Sequence, residues 1–420
     1  MVNVGSMIGS GIFLVPAMIA LYVQSSWMVT FVWILGGVVS LLGALSVAEL
    51  GAMYPKAGGL YVYLREAYGP LWGFLYGWTA FAVIMTAAIS AVAVGFATYL
   101  GYFIPLSDVG IKIVAITSIA ILTAVNCLGV KLGALVQNSF TFVKIGLLAA
   151  LVMGGIVAGD ESASSMGTTL PLAGMIGPFG LALVAVLWSY DGWIEITFVA
   201  GEVKNPQRNI PRALILSTVL VIFVYVVVNL TYMWVLPFDT ISNSTMVAAD
   251  AATAIIGPRG AMVAVIGVMI AMIGSNNGFI LTGARIYYAM ATQNSFITMM
   301  AKVHPRFHTP IPSLVGQGMW AGVLVLTGTF DQLITYVIFA SWIFYAMAAG
   351  AVLVLRKKSP ELPRPYKTWG YPFTPIVFVL FSFYLVTNTL VEDPRDAAFG
   401  LGIILIGLPA YYYWIKKKKH

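Results

Sequence analysis

Apolar residues run along this chain in stretches longer than a strand or a surface helix needs. They lie near 1–22, 27–53, 71–104, 110–129, 132–158, 177–200, 212–236, 259–291, 312–329, 333–355, 372–391 and 398–415. About 20 consecutive apolar residues cross a bilayer core as a helix, so the pattern predicts an all-α membrane protein with twelve transmembrane helices. Two of these are interrupted, helix 1 at Gly9-Ser10-Gly11-Ile12-Phe13 and helix 6 at Ser189-Tyr190-Asp191-Gly192. Backbone at membrane depth leaves the helix only where protein or a water-filled cavity satisfies its freed N–H and C=O groups, so paired breaks point to a transport site.

The breaks are about 180 residues apart and each opens a set of five helices. Five is odd, so the second set enters the membrane in the opposite sense, which predicts an inverted repeat with the site at its interface. The chain divides into a first repeat, 1–158 (helices 1–5), an extracellular loop, 159–176, a second repeat, 177–355 (helices 6–10), and 356–420. The last part holds two extra helices, expected to be peripheral, and a basic tail. Residues 54–70 predict a short amphipathic helix lying along the membrane surface. The charged, turn-rich loop 201–211 reads as a solvated loop or a gate.

Composition agrees with this pattern. Of 420 residues, 60% are hydrophobic and 9% charged, with a mean hydropathy of +0.93. The lone Cys127 excludes an internal disulfide framework. No cleavable signal peptide is expected, and the shortness of the opening half-helix suggests a further N-terminal stretch. Lys56, Arg65, Lys131, Lys204, Arg208, Arg212, Arg285, Lys302, Arg306, Arg356, Lys357, Lys358, Arg364, Lys367 and the lysines at 416–419 fall on the side of the C-terminus, against Lys112, Arg259 and Arg395 on the other. That asymmetry predicts both termini in the cytoplasm of a multi-pass plasma (inner) membrane protein. The net charge of +7 therefore reflects topology, and no nucleic acid partner is expected.

Candidate chemistry gathers at the breaks. At Gly9, Ser10 and Gly11 a ligand can approach the main chain, and the half-helix that follows offers N–H groups and a positive dipole end suited to an α-carboxylate. Close packing of Gly5 and Gly9 against neighbouring helices explains the same residues. At the second break, freed carbonyls suit an α-amino group, and they and the acidic Asp191 meet aromatic walls at Trp188, Tyr190 and Trp193 that suit a small solute, with Trp188 either a lid or plain packing. Lys144 is 13 residues from Lys131 and 14 from Ala158, roughly 20 Å from either surface at about 1.5 Å per residue. A lysine at that depth finds a partner, lines water or gives up its proton. Its ammonium either stands where a sodium ion would join two helices or donates structurally to carbonyls of the first break. Glu49 is expected to pair with a basic loop, and Ser275-Asn276-Asn277 to face the first break or to bind helices together. Neither a Walker loop, a dinucleotide fingerprint nor a metal-ligand spacing appears, so neither an enzyme nor a cofactor is expected.

Gly9-Ser10-Gly11-Ile12-Phe13, Ala48-Glu49-Leu50-Gly51 and Pro55-Lys56-Ala57-Gly58-Gly59 resemble the amino acid–polyamine–organocation superfamily. Tyr190-Asp191-Gly192-Trp193, Glu202-Val203-Lys204-Asn205-Pro206 and Ala301-Lys302-Val303-His304-Pro305-Arg306-Phe307 narrow the resemblance to its L-type amino acid transporters. The resemblance implies a five-plus-five inverted repeat working by alternating access. It implies that Ser10, Gly11 and Ile12 hold the substrate carboxylate, that carbonyls near Trp188, Ser189 and Asp191 hold its amine, and that Trp188 is an aromatic gate. Lys144 matches a fifth-helix lysine that replaces a bound cation, and Tyr225 a seventh-helix tyrosine linked to it. Residues 101–110 lack the cysteine that animal members use to bond a glycoprotein, so a bacterial-type carrier without a disulfide-linked ancillary subunit is expected. The expected function is sodium-independent exchange of neutral L-amino acids. Proton-coupled symport is the close alternative, and a channel or nutrient receptor the alternative of another class.

Overall fold

A chain this apolar must close its backbone hydrogen bonds within each segment. The computed structural model describes residues 1–158, 176–327 and 329–418, and among these every regular element is helical. The first stretch is split into α1 (Val2–Met7) and α2 (Gly11–Val23), followed by α3 (Ser26–Met53). A short helix α4 (Leu60–Tyr68) precedes α5 (Pro70–Thr79), which passes through a π-helical turn, Ala80–Ile84, into α6 (Met85–Leu100). Then come α7 (Asp108–Cys127), α8 (Val130–Ala158) and α9 (Ile176–Tyr190), with 3₁₀ turns at Glu195–Thr197 and Ala200–Glu202. The chain continues through α10 (Pro206–Val235), α11 (Phe238–Asn243), α12 (Val247–Ile256), α13 (Pro258–Thr292), α14 (Ile311–Thr327), α15 (Phe330–Lys358), α16 (Phe373–Glu392) and α17 (Pro394–Lys418).

Each of the twelve predicted stretches carries helix. Among the described residues nine helices are long and apolar enough to cross a membrane, and α2, α9 and α14 are shorter apolar helices. The protein is thus a multi-pass membrane protein of one helical layer type. The predicted loop 159–176 lies outside the described residues except for Ile176, as do Lys419 and His420 of the predicted tail.

Three expectations change. The helix in 54–70 exists, but Leu60, Tyr61, Val62, Tyr63, Leu64 and Ala67 of α4 are buried, packed on α5 and α15. It is therefore a wedge within the protein rather than a helix lying on lipid, because its apolar face finds neighbouring helices first. The second change is α16, which is as well buried as α10 and whose Phe378 stacks on Trp342 at 5.2 Å and meets Trp193 at 6.4 Å. Of the two extra helices, α17 better fits the peripheral description. Finally α11 and α12 were not foreseen. α12 has ten residues, too few to span, and seats Val247, Ala248, Ala249, Ala251 and Ala252 against its neighbours, α13 foremost.

Glu49 ends α3 as expected of it. Arg356 at the end of α15 grips it through two bonds of 2.9 and 2.7 Å, Arg364 lies at 3.4 Å, and the Thr368 backbone N–H donates at 2.8 Å.

Candidate functional site

The first break is only Ile8-Gly9-Ser10, and its hydrogen-bond accounting explains the residues around it. Gly9 N–H turns to Met7 O at 2.8 Å, so Gly5 O loses the donor that a continuous helix would give it. Lys144 supplies the replacement. Its Nζ donates to Gly5 O at 2.5 Å and Ile8 O at 2.6 Å, and lies 3.4 Å from Ala271 O of α13. The side chain is fully buried, and among the described residues no carboxylate lies within ion-pair distance of it. An ammonium carries three donors and no acceptor, which suits a cluster of carbonyls at a helix C-terminus, where the dipole is negative. Of the two readings of Lys144, the geometry displays the donor to carbonyls of the first break, with Nζ joining α1, α8 and α13.

Tyr225 of α10 stands at the same junction. Its hydroxyl is 2.5 Å from Met7 O of the first break and 3.0 Å from Ser189 O at the second. One proton serves one carbonyl at a time, so this side chain links the two breaks through a shared donor.

Beyond the break, α2 starts at Gly11, and the Gly11 and Ile12 N–H groups have no partner within their own helix. Gly11 lies against Ser189, whose Cα and Cβ would collide with any Cβ placed there. Gly11, between Ser10 and Ile12, is therefore brought beside Ser189. Trp188 Nε1 donates to Ser10 Oγ at 3.3 Å, and its ring meets Phe330 edge-on at 6.3 Å, so it bridges the first break and the start of α15. Gly5 and Gly9 also fulfil the packing reading, since Gly5 faces Gln137 and Thr141 of α8 and Gly9 faces Ser275 of α13.

The second break begins two residues later than predicted. Ser189 and Tyr190 finish α9, and the irregular run starts at Asp191. Gly192 has φ +102°, and a Cβ there would press on Ser6 and on the Met7 backbone. Only glycine fits both conditions. Asp191 Oδ1 accepts the Tyr345 hydroxyl at 2.8 Å. Its N–H donates to Trp188 O at 3.1 Å. Of the three expected aromatic walls, Trp188 hydrogen-bonds the first break at Ser10. Tyr190 donates to Trp33 O at 3.0 Å and packs with Trp33 and Tyr225, while Trp193 packs on Tyr345 and Phe378.

Several residues were missed by the sequence reading. Asn3 of α1 donates to Trp193 O at 2.5 Å, lies 3.3 Å from Ser217 Oγ and accepts Ile196 N–H at 2.8 Å. Ser6 donates to Glu195 Oε2 at 2.8 Å. The two are three residues apart, hence on one face of α1, and that polar spacing in an apolar helix was the available signal. On the same side, Arg285 donates to Glu202 Oε1 at 3.0 Å. Of the polar trio in α13, Ser275 faces the first break. Asn277 instead accepts from Asn126 at 2.8 Å and donates to Gly133 O and Gln137 Oε1, both at 3.1 Å, as interhelical glue.

Comparison with known proteins agrees with this architecture. The model of the family described as amino acid permease matches residues 1–408. The chain is 34% identical to the serine/threonine exchanger SteT of Bacillus subtilis, over 99% of this chain and 95% of that protein. It is 31% identical to the b(0,+)-type amino acid transporter 1 of Mus musculus, over 99% and 86%. It is 30% identical to the cystine/glutamate transporter of Homo sapiens, over 98% and 83%.

Proposed function

The chain belongs to the amino acid permease family, and from that premise we propose that it exchanges neutral L-amino acids across a membrane without sodium, by alternating access. The observation that carries the proposal is the Lys144 ammonium on Gly5 O and Ile8 O. A fixed positive charge occupies the place where a mobile cation would join the broken helix to its neighbours, so no cation need be co-transported. The similarity to exchangers such as that of Bacillus subtilis supports the antiport mode.

In this reading the N–H groups at Ser10, Gly11 and Ile12 receive the substrate carboxylate, whose charge the α2 dipole favours. The carbonyls of Trp188, Ser189 and Asp191 receive its ammonium, and Trp188 is the outer lid. Tyr225 and Lys144 hold the two breaks in register. Residues 1–158 and 177–355 act as the two inverted repeats. Support for this comes from exchanged packing partners: α3 lies on α10, α6 on α13 and α7 on α14, each a helix on its counterpart five spans later. Likewise α8 lies on α13 and α10 as α15 lies on α6 and α3. The carrier sits in a plasma (inner) membrane with both termini in the cytoplasm and works without a disulfide-linked subunit.

Purified protein in liposomes preloaded with unlabelled serine or leucine should accumulate the labelled amino acid, whereas empty liposomes should not. Uptake that requires a sodium gradient, or that proceeds equally without internal substrate, would overturn the exchanger.

A further inference from the structure

Glu195 has no role in that account, yet it is a carboxyl group only 1% exposed in the 3₁₀ turn that follows the second break. Its oxygens are unequal. Oε2 accepts the Ser6 hydroxyl of α1 and lies 2.9 Å from the Thr282 hydroxyl of α13, while Oε1 has no hydrogen-bond partner. Thr282 Oγ1 also lies 2.9 Å from Gly278 O, the backbone acceptor one turn earlier in its own helix. With one proton, Thr282 cannot donate to both.

A neutral carboxyl resolves both features. Its proton, on Oε2, goes to Thr282 Oγ1, whose own proton goes to Gly278 O, and Oε1 is left an uncharged carbonyl oxygen. An ionised carboxylate would bury one bare, charged oxygen, which costs far more.

Among the described residues, those around the turn include no cation free to offset a negative charge. The turn packs on α1, α10 and α13. α1 has no charged side chain and contributes Ser6. From α13, Arg285 is engaged by Glu202 and by Leu281 O. α10 offers Tyr225, committed to Met7 O and Ser189 O, while Arg208 and Arg212 are exposed at its start. The other groups that face Glu195 electrostatically are Asp191 and, from α5, Tyr76. Lys144 is spent on the carbonyls of α1.

We propose that Glu195 is a proton-binding latch: it carries a proton while Ser6, Thr282 and the turn are together, and releases it to water when α1 swings away to open the predicted cytoplasmic side. This rests on the alternating-access reading above. The proton returns from the same side when α1 closes, so exchange moves none across the membrane. Closure therefore becomes harder as the pH rises.

The test is exchange in liposomes with pH varied equally on both sides. Wild-type exchange should fall on raising the pH, by up to about tenfold per pH unit for one linked proton. Glu195→Gln, which keeps the size and neutrality, should still exchange but with a flat profile. An active E195Q that retains the wild-type slope overturns the proposal. Should E195Q fail to fold, infrared spectra of protein that keeps Glu195, with isotopically labelled glutamate, decide. Among the described residues the other glutamates are exposed or paired with arginine, so in a Glu161→Gln background a glutamic acid C=O band at neutral pH is expected from Glu195, and its absence overturns the latch. Wild-type protein without exchange at any pH would refute the transport reading instead, leaving the infrared band to judge Glu195.

Discussion

The two breaks look alike in sequence and are held open by opposite means. The first is three residues long, and its freed carbonyls depend on side chains from other helices, Lys144 of α8 and Tyr225 of α10. The second runs from Asp191 to the start of α10, and much of its backbone is satisfied locally. Glu195 N–H donates to Gly192 O, Thr197 N–H to Ile194 O and Phe198 N–H to Glu195 O, at 3.3, 3.0 and 3.0 Å. Asn3 from α1 covers Trp193 O and Ile196 N–H. One break therefore hangs on two long side chains from other helices, whereas the other spreads its needs over many weak contacts. A short break lacks the residues to form turns of its own, so a concentrated donor must serve it.

Lys144→Met is the severest way to test that contrast. It keeps the length of the stem but strips Gly5 O and Ile8 O of their donor, each stranded acceptor costing about 1–3 kcal/mol. Exchange should fall about 100-fold or more, the rate equivalent of roughly 2.7 kcal/mol, with a lowered unfolding temperature in detergent. If Lys144→Met exchanges as wild type does, the first break does not depend on the charge.

Gly192→Ala attacks the second break at its one sterically fixed point. An alanine at φ +102° beside Ser6 and Met7 should destabilise by about 1–3 kcal/mol, measured as a drop in thermal stability. Lys204→Ala, at an exposed position of the same segment without a positive φ, is expected to reduce stability less, because neither constraint acts there. Equal losses would mean that the second break is as concentrated as the first.

Tyr225→Phe is the mildest change. It removes one shared hydroxyl proton, worth about 1 kcal/mol, and should slow exchange about fivefold while the protein stays folded. Its effect should disappear in a Lys144→Met background if both side chains serve the same junction, which a double-mutant cycle reads directly.

Much of this was legible in the chain. Long apolar runs placed the helices to within a few residues, since a bilayer leaves the backbone few options. Small residues at Gly9 to Gly11 and Asp191-Gly192 marked the breaks, and the depth of Lys144 announced a partner. The opposite ends of the contacts were not legible. Asn3 with Trp193, Ser6 with Glu195 and Tyr345 with Asp191 join residues far apart in sequence, and a polar side chain in an apolar helix does not state which neighbour it will meet. The expected aromatic walls fared unevenly for the same reason, Tyr190 and Trp193 being claimed by Trp33, Tyr345 and Phe378.

By itself, then, the sequence determined that this is a multi-pass helical membrane protein with two broken helices and a deeply placed lysine, because hydropathy and backbone hydrogen bonding are local constraints. Only the tertiary structure decided that the ammonium rests on Gly5 and Ile8, that Trp188 rather than Tyr190 or Trp193 covers Ser10, and that Glu195 joins α1 to α13. Those pairings depend on which helix faces turn toward one another, and that is set by the packing of the whole bundle.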